Sequence, residues 1–197
     1  MHSRRQISRP GDYERMTTVA RYFLKWDSLL LTRVSGGAPE KHGLRLIRWI
    51  SRSADGQAYP ALLILVAVFQ SERWRVLSVF LCSFVIELAA YKLIKHWVKR
   101  PRPCHQLVGM ENLIVPQDFF SFPSGHTAGA FVVALSVAYC HPSLAVPACL
   151  WAAFVGFSRL YLRVHYPTDV LAGACLGILS VKAGLIVGIS LIASSGQ

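Results

Sequence analysis

The sequence predicts an all-α, polytopic transmembrane helix bundle preceded by amphipathic interfacial helices, and three observations carry that prediction. Hydrophobic residues make up 53% of the 197-residue chain and charged residues only 16%, against about 25% charged in an ordinary soluble domain. The charge is also segregated. Eleven of the 21 Lys and Arg lie between Arg4 and Arg52, and half of the others cluster between Lys92 and Arg102. The stretches between these clusters are almost free of charge and approach the ~20 apolar residues needed to cross the hydrocarbon. A net charge of +11 could also mark a nucleic-acid binder. That function needs a basic stripe on a wetted surface, and the apolar blocks interrupt any such stripe, so no nucleic-acid partner is expected. The same composition excludes disorder and a disulfide-stapled small fold. Cys82, Cys104, Cys140, Cys149 and Cys175 are odd in number and form no C-x-x-C pair, so they read as small hydrophobes.

Taken in order, residues 1–57 form a basic amphipathic N-terminal region and residues 58–197 a membrane domain. Met1–Arg15 is polar and no apolar run follows it directly, which argues against a cleaved signal peptide. Val19, Tyr22, Phe23, Trp26 and Leu30 recur at helical spacing, with Arg21, Lys25 and Ser28 elsewhere on the wheel. Leu44, Ile47 and Ile50 repeat the pattern beside Arg45, Arg48 and Arg52. Charges in mid-segment argue against spanning, so both segments read as helices lying in the membrane interface, with packing onto the bundle as the alternative. Gly36-Gly37-Ala38-Pro39 separates them. Five spans follow: Ala58–Gln70, short and opened by Pro60; Trp74 to about Lys95; and 126–141, 144–162 and 170–193. A sixth exists only if 16–34 crosses.

Parity then places three polar segments on one membrane face. Lys95–Arg102 ends the second span, 120–126 opens the third, and Arg159–Asp169 joins the fourth to the fifth. Each carries chemistry. In Lys95-His-Trp-Val-Lys-Arg-Pro-Arg102-Pro103, the prolines stiffen the turn that aims Arg102, whose planar fork matches phosphate oxygens. Lys99 and Arg100 read as headgroup anchors. Pro123-Ser124-Gly125-His126 opens an apolar helix, where free N–H groups and the helix dipole favour an anion and Gly125 allows close approach. Ionisable His126 at such a position is costly unless used. In the third segment His165 and Asp169 lie four apart. A carboxylate on one ring nitrogen would leave the other more basic, as a base, nucleophile or metal ligand. Glu87, eight before Lys95, reads either as a partner for Lys92 or Lys95 or as a pairing group inside the bundle. The remaining histidines (His2, His42, His96, His105, His141) have no comparable setting.

Lys95-x6-Arg102-Pro103, Pro123-Ser124-Gly125-His126 and Ser158-Arg159-x5-His165-x3-Asp169 together resemble the three-part signature of the type 2 phosphatidic acid phosphatase family, relatives of bacterial acid phosphatases and vanadium haloperoxidases. The signature covers 95–169, and the flanking helices extend the likeness to about 58–193. One departure is topological, since membrane members usually show six spans and five are found here.

The resemblance implies a lipid phosphatase. His165 would form a phosphohistidine with Asp169 raising its nucleophilicity, and His126 would act as general acid and base. Lys95, Arg102, Arg159, Ser124 and Gly125 would hold the phosphate, without a cofactor or metal. Three cations would repel a dication from the alternative ligand set His126, His165 and Asp169. The substrate class is a lipid phosphate: polyprenyl (undecaprenyl) diphosphate, phosphatidylglycerophosphate or phosphatidate. A phosphotransferase with the same histidine site, a vanadate haloperoxidase and a non-catalytic scaffold are the rival functions. With five spans the N-terminus shares the site's face, and its basic residues place that face in the cytoplasm of a cell (inner) membrane protein.

Overall fold

The computed structural model describes residues 18–36, 41–59, 61, 64, 68, 73–107, 109–116 and 118–195. Its elements are α1 (Thr18–Ser35), α2 (Lys41–Arg52), α3 (Arg73–Val98), the short α4 (Pro103–Gln106), α5 (Gly125–Cys140), α6 (Ala145–Tyr161) and α7 (Pro167–Ser195). Among the described residues, three helical segments are long and apolar enough to cross a membrane: Trp74–Val98, Pro142–Tyr161 and Pro167–Ser194. Gly125–Cys140 is apolar but shorter. The expected span at Ala58–Gln70 falls mostly outside the described residues, as does the basic tail before Thr18.

The protein is a bundle of membrane helices, and small residues set its packing. α3 and α7 lie along one another, while α5 packs on α6, α7 and α3. Lipid tails give apolar faces no reason to associate, so close backbone approach must provide the contact. A side chain at Gly184 would collide with Ser83, and one at Gly188 would come within 2.9 Å of the Val79 backbone. Gly173 and Gly177 open the same closeness to Ser124 and Ala128 at the start of α5. The outward faces stay apolar: Leu81, Val85 and Leu93 of α3, and Leu179 and Ile186 of α7, are exposed. Trp74 and Trp97, both exposed, stand about 35 Å apart along the axis at 1.5 Å per residue. Tryptophans at the two ends of a span mark the two interfaces, so Lys95 sits at headgroup level.

The N-terminal helices dock on the bundle. α1 packs against α6 and α7, and α2 against α6. The buried face of α1 is Leu24, Asp27, Leu31 and Ser35, whereas Trp26 and Leu30 of the expected stripe are exposed. The reason is polar. Asp27 takes the Thr168 N–H at 3.0 Å and the Arg100 guanidinium at 2.6 Å, and these bonds choose the face. Leu24 and Leu31 follow it onto Tyr166. Ser35, two turns further on, accepts Arg163 through its carbonyl. Asp27 and Ser35 both meet the α6–α7 connection, so α1 lies across that end of the bundle and does not cross beside it. α2 buries Ser51, and Ala54 just beyond it packs among Ala130, Ala134, Ala152 and Val155, while Leu46 and Trp49 remain exposed.

Candidate active site

Three connections converge at the Trp97 end of the bundle. After α3, Lys99 turns the chain with φ 46°, and Pro101 pairs with Phe120 in a single antiparallel bridge. The Ser121 N–H donates to the Arg100 carbonyl at 2.8 Å. That pairing sets Arg102 beside Asp118. Ser124, at the start of α5, donates its N–H to the Asp169 carbonyl, which ties the second segment to the third. Lys95, Arg102, Ser124, Arg159, His165 and Asp169 are all buried, so the structure brings the three sequence segments together.

His165 lies in the α6–α7 connection. Its Nδ1 is 3.6 Å from Asp169 Oδ2, an electrostatic contact longer than the hydrogen bond expected from the spacing. Asp169 is engaged elsewhere: Oδ2 accepts the Tyr166 N–H at 2.8 Å and Oδ1 accepts Arg100 at 2.8 Å. The other nitrogen, Nε2, is 3.4 Å from Arg102 Nη1. Burial, reinforced by the charges of Arg102, Arg159, Lys95 and His126, holds the imidazole well below its ordinary pKa. His165 is therefore neutral at neutral pH, the form in which a ring nitrogen can attack phosphorus.

The cations have partners that the sequence did not disclose. Lys95 Nζ and Arg102 Nη2 each donate to the Asp118 carboxylate at 2.5 Å, and Arg102 Nε donates to the Asp118 carbonyl at 2.9 Å. Tyr91 adds its hydroxyl at 2.8 Å. Burial would raise the Asp118 pKa, but the bonds from Lys95 and Tyr91 and the charges of Lys95 and Arg102 outweigh it and bring it to about 2. Lys95 thus takes Asp118, not Glu87, as its carboxylate. Arg159 donates to Ser51 Oγ at 2.5 Å. His126 Nε2 lies 2.9 Å from Asp55 Oδ1, in the turn after α2.

One local reading changes. Arg100 is no headgroup anchor: it bridges Asp27 and Asp169 and stacks over Tyr166 at 4.1 Å. Ser124 Oγ is occupied by Thr127 at 2.9 Å. Gly125 is needed for a protein neighbour, because a Cβ there would come within 2.9 Å of the Tyr91 ring. Asp27, Asp55, Arg100 and Asp118 are the residues that sequence reasoning missed. One signal was available: the chain has only ten acidic residues in all, and Asp27, Asp55, Asp118 and Asp169 all gather here. Among the described residues, no three His, Cys, Asp or Glu side chains converge in a way that could hold a metal ion.

Comparison with known proteins agrees with the geometry. The sequence model of the PAP2 superfamily matches residues 61–192. The chain is 37% identical over 99 residues to phosphatidylglycerophosphatase B of Bacillus subtilis, covering 45% of this chain and 46% of that protein. It is 36% identical over 130 residues to decaprenylphosphoryl-5-phosphoribose phosphatase of Mycolicibacterium smegmatis, covering 64% of this chain and 62% of that protein. The matches thus span less than two thirds of the length of either curated relative. The crystal structure of Aquifex aeolicus LpxE superposes with a TM-score of 0.71 at 27% identity, covering 79% of this chain and 92% of that one. A transmembrane PAP2-type phosphatidylglycerolphosphate phosphatase from Bacillus subtilis, 22% identical, shares the fold with a TM-score of 0.67, covering 90% and 88%.

Proposed function

Because the chain belongs to the PAP2 superfamily, we propose that it is an integral membrane phosphatase that removes a terminal phosphate from a lipid through a phosphohistidine. The observation that carries this reading is the meeting of His165, His126 and three cations (Lys95, Arg102, Arg159) at one interface of the bundle. A lipid presents its phosphate at that level while its chains stay in the hydrocarbon.

Asp169 faces Nδ1, so Nε2 is the nucleophile. The Nε2–phosphorus bond forms as the phosphorus–oxygen bond to the lipid breaks, and His126 supplies a proton to the departing oxygen. Water then attacks phosphorus and gives a proton back to His126. The nitrogen–phosphorus bond breaks, orthophosphate leaves and His165 is restored. Phosphoryl transfer asks mainly for positioning and charge stabilisation, and Lys95, Arg102 and Arg159 supply the charge. Asp55 orients His126, and Arg100 orients Asp169.

The site lies on the cytoplasmic face of a cell membrane in this reading. Its support is the docking of the basic N-terminal helices at the site's end of the bundle. A periplasmic reporter fused after Gln197 is expected to be active, and a silent one would move the site to the outer face.

The deciding experiment is orthophosphate release from a panel of lipid phosphates by detergent-purified protein in excess chelator, beside His165→Ala. Release that survives the chelator and disappears in the variant is expected. Release abolished by the chelator would overturn the histidine mechanism.

A further inference from the structure

The three motifs build one side of the site, and α2 builds the other. A cavity of about 380 Å³ opens beside His126, lined also by Arg48, Arg52, Asp55 and Arg159. Leu113 to Val115 supply apolar lining. The register of α2 follows from its contacts. Ser51 accepts Arg159, Ala54 enters the core and Asp55 meets His126, which leaves Arg48 and Arg52 facing the same space one helical turn apart. Arg48 is held there by its bond to the Leu113 carbonyl at 2.8 Å.

The arrangement is electrostatically one-sided. α2 contains no acidic residue, and like charges four apart on a helix repel. The cavity's one carboxylate, Asp55, already serves His126. Arg159 is 3% exposed, and its Nε has no hydrogen-bond partner. An anion placed between these guanidiniums would satisfy all of them.

The geometry of displacement says which part of a substrate reaches this space. In-line attack puts the departing oxygen opposite the attacking nitrogen. With His165 as nucleophile and His126 as acid, the cavity beyond His126 receives the leaving group. We propose that the leaving group carries its own phosphate, either on the departing oxygen itself or a few bonds beyond it, and that Arg48 and Arg52 bind it. This rests on the phosphatase reading above and narrows its substrate class. A lipid diphosphate fits, because a lipid monophosphate departs. A headgroup with a phosphodiester beside its terminal phosphate fits too. Phosphatidate departs as a neutral alcohol and has no use for two guanidiniums. When a diphosphate is cleaved, the Nε2–phosphorus bond forms, the bridging phosphorus–oxygen bond breaks, and the electron pair passes to the departing phosphate. Arg48 and Arg52 neutralise that charge.

Two substrate pairs test the assignment. Farnesyl diphosphate and farnesyl monophosphate share a chain and differ in the leaving group, as do phosphatidylglycerophosphate and phosphatidate. Initial orthophosphate release is measured in micelles for the unmodified protein and for Arg48→Ala/Arg52→Ala. The unmodified protein is expected to prefer the member with the second phosphate. The double variant should lose about tenfold or more of that preference in kcat/KM. A loss confined to the farnesyl pair identifies a diphosphate, and one confined to the glycerolipid pair identifies a phosphodiester. A fall in rate that is the same for both members of each pair, or no fall at all, leaves the preference unchanged and would overturn the proposal. No release from any of the four by the unmodified protein would overturn the phosphatase reading itself. Arg52→Gln leaves the Arg48–Leu113 bond in place and should shift the ratio in the same direction, so a double variant that fails to fold does not shield the proposal.

Discussion

Asp118 holds Arg102 at both ends of its own backbone and side chain: the carbonyl accepts Nε at 2.9 Å and the carboxylate accepts Nη2 at 2.5 Å. Its second carboxylate oxygen takes Lys95. A carboxylate therefore sits on two of the three cations proposed to hold phosphate. Phosphate must displace it or share them, and two anions on one site compete.

Replacing Asp118 with Ala should thus tighten binding of inorganic phosphate. The carboxylate is 38% exposed, and pairs this wetted are weak, so a fall of about three- to tenfold in the inhibition constant is expected. kcat should fall as well, because Arg102 loses the contact that aims it. Competitive inhibition of lipid hydrolysis by orthophosphate measures both. Unchanged inhibition would mean that Asp118 stays in place while phosphate binds.

Asp55 reaches His126 from outside the three motifs. General acid catalysis by a well-placed group contributes about 10²–10⁴-fold, and an unsupported imidazole keeps part of that. Asp55→Asn is expected to lower kcat by about tenfold with little change in KM. The loss should be greater for a substrate that departs as an alkoxide than for one that departs as a phosphate, which needs less protonation. A purely structural role would lower both alike, so the ratio is the measurement.

Asp27 is 2% exposed and pairs with Arg100 while also accepting the Thr168 N–H and hydroxyl. Removing one member of a buried pair costs about 3–5 kcal/mol, because the other charge is stranded. Arg100 retains Asp169, so Asp27→Ala should fall near the lower end. Thermal unfolding in detergent is expected several degrees earlier. Asp27→Asn keeps an acceptor for Thr168 and should lose less.

The two polar loops also set a pH dependence. His165 is held below its ordinary value, which is about 6.5 in an unfolded chain. As pH falls through that value the unfolded state gains a proton that the folded state refuses, so stability declines from there down to the folded value. Asp118, held at about 2, adds a loss only below the ordinary Asp value of about 3.9. Activity should therefore persist below pH 6.5, since neutral His165 is still present there. Replacing His165 with Asn should flatten the upper of the two stability losses. Unfolding midpoints across pH in both proteins provide the check.

Much of this was legible along the chain. Charge segregation and apolar run length revealed the membrane bundle, because hydrocarbon admits only segments that satisfy their own backbone. The parity of the spans set Lys95–Arg102, Pro123–His126 and Arg159–Asp169 on one face, and the structure joins them there. Spacing revealed residue types that act together within one segment. It could not reveal partners far apart in sequence. Asp118 on Arg102, Asp55 on His126 and Asp27 on Arg100 join elements 16, 71 and 73 residues apart.

By itself, then, the sequence determined the class of the fold, the end of the bundle where the three motifs meet, and the residues proposed to attack, protonate and neutralise. Tertiary structure alone decided which carboxylate supports which cation and which face α1 buries. Sequence periodicity ranks faces by hydrophobicity, and Trp26 and Leu30 made the more apolar stripe. A single buried ion pair outweighed them, because stranding Arg100 and the Thr168 N–H in a dry contact costs more than exposing two apolar side chains at a membrane interface.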